Sequence, residues 1–486
     1  MKILLITPPY HSGVLESAGR WPNLAFVYHA GHLRAAGHEA VIYDAMSTGD
    51  DLEAIRARIE QEQPDAVLTT AFTASYPAAV QVLRAAKEIG RTRGRPLVTG
   101  MGGVHATFMF EEILGQHGQW VDYCFLGEGE QTLPELFDVL SRGDDPAQLP
   151  GLAFRRRGRI RTTGRRPFVP DLDAIIPAWD LLDWHLYTFF VFPGSRMATI
   201  NTSRGCSQAC SFCSQQKFWE QTWRARRAEE VAAEILELNR DYGVDVFLIS
   251  DELPTHDRER WETLLDLLIE AGSPAYLLME TRVDDIVRDE DILWKYRSAG
   301  VVHVYVGVEA TSQEVLDLFK KEADVRTGKK AIELLAQHGI LSETSFVLGT
   351  PDETPESVAR TLEMAKFYNP DMAHFLLLAP WPYADMWPDL EPYVETRDYA
   401  LYNLVEPVLR SRTMTRDELM KAVIDCYMDF YLSRIPRWTE EPDEFKREYL
   451  LRSARLIMQN SFVTRHLPED FELPEEAKAA MEKAGC

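Results

Sequence analysis

Two successive stretches of the chain alternate short apolar runs with amphipathic helical patterns, and this alternation narrows the possible folds more than any other feature of the sequence. Within 1–147 the strand-like runs are 3–6, 40–43, 66–70, 96–99 and 123–126, separated by helical patterns such as 24–36 and 76–89. Five such units make a doubly wound, Rossmann-like parallel sheet, whose ligand crevice lies beyond the carboxyl ends of the strands. From 196 to 389 six further runs follow, at 197–202, 244–250, 276–281, 301–309, 341–348 and 374–378. Helices lie between most of them; Val231, Ile235 and Leu238 share one face of 227–242. Six repeats are too few to close an eight-unit barrel, so this stretch reads as a partial (β/α)6 barrel. Between the two stretches, 148–195 reads as a linker with an Arg-rich hairpin about Gly158 and a crossing marked by Trp179 and Trp184. The rest, 390–486, is mainly helical, and the stripe Leu419, Val423, Tyr427, Phe430 and Tyr431 is expected to pack against the barrel. The fold class is therefore α/β with a helical C-terminal region.

Charge excludes some functions. The formal net charge is −24, which disfavours nucleic acid as an obligate partner. Seven arginines crowd into 155–166, but their alternation with apolar residues suits the solvated face of a hairpin. No apolar run approaches transmembrane length, and the run ending at Pro8 and Pro9 is too short for a signal peptide. A cytoplasmic location is the expectation.

Half of the six cysteines form one Cys-x3-Cys-x2-Cys run, Cys206, Cys210 and Cys213, directly after the first barrel strand. Three thiolates can hold three irons of a cubane cluster and leave the fourth open to a ligand. A structural zinc site would take a fourth ligand, and no further Cys or His lies within a dozen residues on either side. A disulfide framework fits worse, because six cysteines in 486 residues suggest a reducing interior. Cys124, Cys426 and Cys486 are expected to be outside the cluster.

Barrel active sites form where strands end. The residues at the ends of the second to sixth runs are Asp251 and Glu252, then Arg282, Glu309, Gly349 with Pro351, and Trp381 with Pro382. A carboxylate there can bind ribose hydroxyls and an Arg can pair with a ligand carboxylate; taken singly, each is equally an ordinary loop residue. The loops at the ends of the first sheet hold Tyr10, His11, Ser12 and Gly13, then Gly102, Gly103 and His105, then Gly127, Glu128, Gly129 and Glu130. No Gly-x-Gly-x-x-Gly follows the first strand, so dinucleotide binding is weakly supported. Plain turn-making remains open for these glycines.

On these residues the chain resembles, over nearly its whole length, the radical S-adenosylmethionine (SAM) enzymes of the cobalamin-binding class. The resemblance implies a 4Fe-4S cluster on the cysteine triad, with Phe212, Asp251, Glu252, Arg282, Glu309 and Gly349 around SAM. Phe212 matches the aromatic whose backbone contacts adenine. It also implies cobalamin at Tyr10–Gly13, Trp21, Gly102, Gly103, His105 and the Gly127–Glu130 loop. The Asp-x-His-x-x-Gly loop that supplies an axial histidine in other cobalamin proteins is absent, so cobalt is expected to lack a protein imidazole; His11 is the nearest exception and His105 is expected to shape its loop. Ser345, Val347, Gly349 and Asp352 stand where Gly, Ile, Gly and Glu are usual in the fifth barrel strand.

Within the class, 10–13, Trp21-Pro22, 210–215 with 217–219, Asp251-Glu252 with Pro254-Thr255, and 380–382 are similar to the anaerobic magnesium-protoporphyrin IX monomethyl ester cyclases. That likeness implies oxidation and cyclisation of an apolar tetrapyrrolic substrate, a porphyrin, with water-derived oxygen and an external low-potential electron donor. The runner-up is a cobalamin-dependent C-methyltransferase, and an iron-sulfur electron carrier is the non-enzymatic alternative. A methylthiotransferase acting on RNA would carry extra cluster cysteines upstream, where only Cys124 stands. The aromatic segments 187–192, 381–387 and 427–431 suit either a flat apolar substrate or a core, and core is the simpler reading.

Overall fold

Ile3, Leu4, Leu5 and Ile6 are all fully buried, which suits a parallel strand covered on both faces. They belong to β1 (Lys2–Thr7), the second strand of a seven-stranded sheet. The computed structural model describes residues 1–14, 18–308, 325–467, 474, 475 and 478. Two compact units emerge: Met1–His11 with Trp21–Leu186 and Asp398–Ala400, and Ser12–Arg20 with Tyr187–Arg397 and Leu401–Cys486.

In the first unit β1 is followed by α1 (Leu24–Ala35), β2 (Glu39–Asp44), α2 (Leu52–Glu62), β3 (Ala66–Thr70), α3 (Tyr76–Thr92), β4 (Val98–Gly102), α4 (Gly103–His117), β5 (Tyr123–Phe125) and α5 (Thr132–Ser141). The parallel order is β2-β1-β3-β4-β5, as a doubly wound sheet requires. Asn23 caps α1 by accepting the Phe26 amide, and Asp51 caps α2 by accepting that of Ala54. The fourth strand runs further than the apolar run 96–99 indicated. Gly100 and Gly102 pair with Leu68 and Thr70 and continue it; a Cβ at Gly100 would lie 2.6 Å from the Phe125 ring, so the missing side chain makes room for that ring.

The Arg-rich hairpin, expected within a linker from 148, is part of this sheet. Its strands β6 (Leu152–Arg156) and β7 (Arg159–Thr162) add antiparallel to β5. Leu152, Ala153 and Phe154 are buried while Arg155, Arg156, Arg157 and Arg159 are exposed, so hydrophobic burial and coverage of the edge of β5 decide the matter.

In the second unit β8 (Met197–Ile200), β9 (Val246–Ile249), β10 (Tyr276–Arg282), β11 (Val301–Gly307), β12 (Leu341–Leu348) and β13 (Met372–Leu377) pair in parallel in sequence order. Helices α6 (Ala228–Tyr242), α7 (Arg258–Glu270), α8 (Leu293–Ser298), α9 (Val325–Gln337) and α10 (Pro355–Tyr368) intervene. This is the partial (β/α)6 barrel. The edge strand β13 is covered by α11 (Arg416–Thr439): the Tyr431 hydroxyl donates to the Ala373 carbonyl and accepts the Ala373 amide. Leu419, Val423, Tyr427, Phe430 and Tyr431 are all buried there, as are Tyr187 and Phe189, so two of the three aromatic segments are core. Helix α12 (Glu444–Asn460) and the short α13 (Phe462–His466) complete the region. Among the described residues no helix is long and apolar enough to cross a membrane.

Candidate cofactor sites

The loop after β8 carries Cys206, Cys210 and Cys213, and the two carboxylates that end β9 hold it in place. Asp251 is fully buried and accepts the Thr202 amide at 2.7 Å and the hydroxyls of Thr202 and Ser203, both at 2.6 Å. Glu252 accepts the Gly205 amide at 3.0 Å and the Trp219 indole N–H at 2.6 Å. One carboxylate thus fixes the entrance of the loop, and its neighbour ties the residue before Cys206 to the helical turn after Cys213. At a strand end both are expected around SAM; in the structure both hold the cysteine loop, whose backbone and hydroxyl donors need acceptors in a buried setting. Gly205 adopts φ +96°, and a Cβ there would lie 2.2 Å from the Thr222 carbonyl oxygen.

The three thiols act on one another. Burial pushes Cys213 up to about 12, with Cys210 and Cys206 adding repulsion. Cys206 is also raised, first by burial and then by Cys210 and Glu252, against the opposing charge of Arg282. Arg282 ends β10 and pairs with Asp284 at 3.0 Å. Backbone amides point at the sulfurs: that of Gln215 lies 3.4 Å from the Cys213 Sγ. Cys124 and Cys426 are buried elsewhere, each raised by burial; Cys486 lies outside the described residues.

Two features of this mouth had no sequence signal. Asp385 accepts the Gln216 side-chain amide at 2.7 Å and pairs with Lys217 at 2.7 Å, joining the segment after β13 to the cysteine loop. At the end of β12, Gly349 (φ +81°) donates its amide at 2.9 Å to the buried Glu353, which also accepts the Ser357 hydroxyl. Asp352, expected at the motif's acidic position, is exposed and pairs with Arg412, so the carboxylate that shapes this turn is one residue later. Glu309 lies outside the described residues.

The concave face of β10–β13 is polar, where closed barrels are packed with branched apolar side chains. Glu280 on β10 is exposed, and Tyr305 on β11 donates to Ser345 on β12. Deeper, Glu343 receives His303 Nε2 at 2.8 Å and His374 Nε2 on its other oxygen. The outer ring nitrogens meet tyrosine hydroxyls, Tyr449 at 2.7 Å on His303 and Tyr427 at 3.2 Å on His374. Burial alone would raise Glu343; the two imidazoles outweigh it and hold the carboxyl far below its ordinary range.

In the first unit, Gly102 ends β4 and Gly103 (φ +92°) opens α4; a Cβ on Gly103 would lie 2.6 Å from the Ala71 carbonyl oxygen. His105 is wholly buried, bonded to Thr73 at 3.1 Å and packed on Tyr76 at 4.4 Å between ring centroids. Burial lowers it to about 3, so it is a neutral core imidazole that backs the loop. Gly127 (φ +85°) donates to the Thr107 hydroxyl, Glu128 accepts the Val169 amide, Gly129 packs on His29, and Glu130 is buried. Tyr10 donates to the Ala400 carbonyl, His11 is exposed and Trp21 half-buried. Ser12 and Gly13 belong to the second unit, where their carbonyls accept from Arg465 and the Phe462 amide.

A model of the radical SAM superfamily matches residues 200–365, and a model of the B12 binding domain matches 10–137. The chain is 36% identical over 468 residues to the anaerobic magnesium-protoporphyrin IX monomethyl ester cyclase of Rubrivivax gelatinosus, covering 95% of this chain and 83% of that one. The chain belongs to the cobalamin-dependent radical SAM enzymes. A second cyclase, from Cereibacter sphaeroides, is also 36% identical over 94% of this chain and 75% of its own. Among solved structures, the cobalamin-dependent radical enzyme OxsB with aqua-cobalamin and SAM bound has a TM-score of 0.73 at 14% identity, covering 99% of this chain and 74% of that one. The methyltransferase TsrM from Kitasatospora setae, with cobalamin and a 4Fe-4S cluster bound, has a TM-score of 0.70 at 16% identity over the whole of both chains. Both share the fold.

The cofactors of this radical SAM enzyme are a 4Fe-4S cluster, SAM and cobalamin. Its residues fit them. Three mutually repelling thiols with amides aimed at sulfur are stabilised as thiolates once iron supplies positive charge. In the B12 domain, among the described residues and apart from its chain neighbours, only the Phe125 side chain comes within 4 Å of where a Gly102 Cβ would stand, and such open backbone at a strand end lets a bulky ligand approach.

Proposed function

We propose that this radical SAM enzyme oxidises and cyclises a large apolar tetrapyrrole, a porphyrin, using oxygen derived from water. The observation that carries the reading is identity sustained from end to end, 36% across 95% of the chain, with a cyclase named for magnesium-protoporphyrin IX monomethyl ester. Cys206, Cys210 and Cys213 hold the cluster, and Phe212, Arg282, Glu309 and Gly349 surround SAM. Tyr10, His11, Trp21, Gly102, Gly103 and the Gly127–Glu130 loop hold cobalamin, with His105 supporting them from behind. When bound, these groups supply hydrogen abstraction from an unactivated carbon and a second redox centre for the substrate.

The protein's own part is positioning and charge. Asp251 and Glu252 fix the loop that presents the thiolates, so cluster geometry is set before SAM arrives. Arg282, whose charge acts on Cys206, is suited to pair with the methionyl carboxylate beside the open iron. Glu353 holds the Gly349 turn that faces the adenosyl part. The polar concave face, from Glu280 through Tyr305 and Ser345 to the His303–Glu343–His374 row, offers acceptors for the proton that water releases on adding to an oxidised substrate. Electrons come from an external low-potential donor, and the work is done in the cytoplasm.

A second reading is C-methylation. It is favoured by 29% identity over 89% of the chain to an uncharacterised methyltransferase of Pyrococcus horikoshii, and by 26% over 78% to a hopanoid C-3 methylase of Methylococcus capsulatus. Anaerobic turnover of a porphyrin monomethyl ester with methyl-deuterated SAM in oxygen-18 water separates the two by product mass. Water oxygen without the labelled methyl is expected; the labelled methyl without water oxygen would replace the cyclase by the methyltransferase.

A further inference from the structure

Phe72 is 66% exposed, while Ala71 and Thr73 on either side of it are fully buried and Ala74, Ser75 and Tyr76 nearly so. The loop that carries it is locked. The Phe72 amide donates to the Ser75 hydroxyl at 3.0 Å, and the Tyr76 amide to the Phe72 carbonyl at 3.0 Å. The Ala71 amide donates to the Gly102 carbonyl at 2.9 Å, and the His105 amide to the Ala71 carbonyl at 3.2 Å. A mobile loop tip exposes an aromatic ring incidentally; a rigid one presents it. Among the described residues Trp294 and Phe367, the other exposed large hydrophobic aromatic side chains, lie on helices with an ammonium over the face, Lys295 at 5.8 Å and Lys329 at 5.3 Å. Among the described residues the Phe72 ring has no such neighbour.

Its position supplies the occupant. Phe72 stands two residues past the end of β3 and is bonded through Ala71 to the Gly102–Gly103 turn, at the carboxyl edge where an open α/β sheet takes its ligand. The ligand of this domain is a flat macrocycle with a metal at its centre. The neighbouring imidazole, His105, is enclosed by Thr73, Tyr76 and Tyr399 and backs the loop instead of facing the crevice. A phenyl ring has an apolar face to lay against a corrin and no lone pair to give to cobalt.

We propose that Phe72 covers the face of cobalamin that rests on this domain and closes cobalt's axial position there to protein nitrogen, to water and to the cofactor's own benzimidazole nitrogen. The proposal rests on cobalamin binding by this domain. Axial-ligand identity is a principal lever on a bound metal's reduction potential. A position closed by a ring that donates nothing leaves cobalt easier to reduce and keeps the opposite face as the one open to reaction.

The test uses the full chain, anaerobically loaded with hydroxocobalamin and reduced to cob(II)alamin, in three forms: wild type, Phe72→His and Phe72→Ala. Because residue 72 is exposed, both variants are expected to fold and to bind cobalamin at the wild-type stoichiometry, read from the optical spectrum. Electron paramagnetic resonance of the wild type should show cobalt hyperfine lines without nitrogen splitting; a nitrogen-split wild-type spectrum, from protein or from the cofactor's own benzimidazole, would overturn the proposal. In Phe72→His each resolved high-field line should split into three, from one coordinated nitrogen. In Phe72→Ala the g values and cobalt hyperfine should move to those of water-ligated cob(II)alamin. A change in either variant at unchanged cobalamin content places residue 72 at the cobalt. Spectra identical to wild type in both variants, with cobalamin bound, overturn the proposal while leaving the cofactor reading intact; a wild-type chain that retains no cobalamin overturns both.

Discussion

Replacing Glu343 by Met should cost the second unit much of its stability. The carboxylate is hydrogen-bonded to the His374 imidazole on one oxygen and lies 2.8 Å from the His303 ring nitrogen with the other, and its side chain is only 15% exposed. Met has similar length and no acceptor. A hydrogen bond to a charged group contributes about 1.5–3 kcal/mol, so losing the His374 bond together with the charged His303 contact costs about 3–6 kcal/mol. Glu343→Gln should be milder, at about 1.5–3 kcal/mol, because the amide oxygen keeps one imidazole and a tautomer change lets the other accept from the amide nitrogen. At roughly 2 °C per kcal/mol for a unit of this size, thermal unfolding of the apo-protein should fall by about 6–12 °C for Met and about 3–6 °C for Gln. Hydrogen exchange should rise in peptides from β11, β12 and β13. The pH dependence follows from the direction of the shift. Glu343 is held below its ordinary range in the fold, so its contribution is present above the unfolded-state pKa and is lost only as pH falls through the lower folded value. The gap between wild type and Glu343→Met should therefore persist through pH 5. A Met variant within about 2 °C of wild type, or a gap that closes between pH 6 and 5, would refute the carboxylate's role as the anchor of this row.

Replacing Cys206, Cys210 and Cys213 together by Ala should abolish the iron complement of the reconstituted protein and formation of 5′-deoxyadenosine; retained iron would show that the cluster lies elsewhere. Asp251→Asn should loosen the cysteine loop by about 2–4 kcal/mol, since at most one acceptor oxygen remains for three donors, and should appear as faster hydrogen exchange at 202–205 and lower iron occupancy. Gly205→Ala forces a side chain into a left-handed backbone against the Thr222 carbonyl, a strain of about 1–3 kcal/mol that should also lower iron content; iron equal to wild type would mean the turn relaxes freely. Glu353→Gln should weaken SAM binding by about tenfold or more while Asp352→Asn stays within about twofold, measured by equilibrium dialysis; the reverse order would return the motif's acidic role to Asp352.

Much of the architecture was legible in the sequence because hydrophobic periodicity and chain order suffice for it. Burial on both faces makes strands such as Ile3–Ile6 read as continuous apolar runs, and parallel pairing then requires the crossover helices that the amphipathic patterns supply. The triad was legible for a similar reason, since an open iron is a consequence of ligand count and spacing, which are local. What lies at a strand's end in sequence does not reveal which way its side chain turns. Asp251 and Glu252 follow β9 as a ligand-binding pair would, yet buried donors on the cysteine loop claim both carboxylates. His105 sits in a loop motif but turns into the core, and Gly100 follows the end of the apolar run 96–99 but lies within a strand to make room for Phe125. His303, Glu343 and His374 stand on three separate strands, forty and thirty-one residues apart, and no spacing rule joins them. By itself the sequence determined the order of elements, the two α/β units and the spacing of the cysteine loop, because these depend on near neighbours in the chain. Which polar side chains face ligands and which satisfy the protein's own buried donors was decided only by tertiary structure, because hydrogen-bond satisfaction in a desolvated interior depends on what the fold brings within 3 Å.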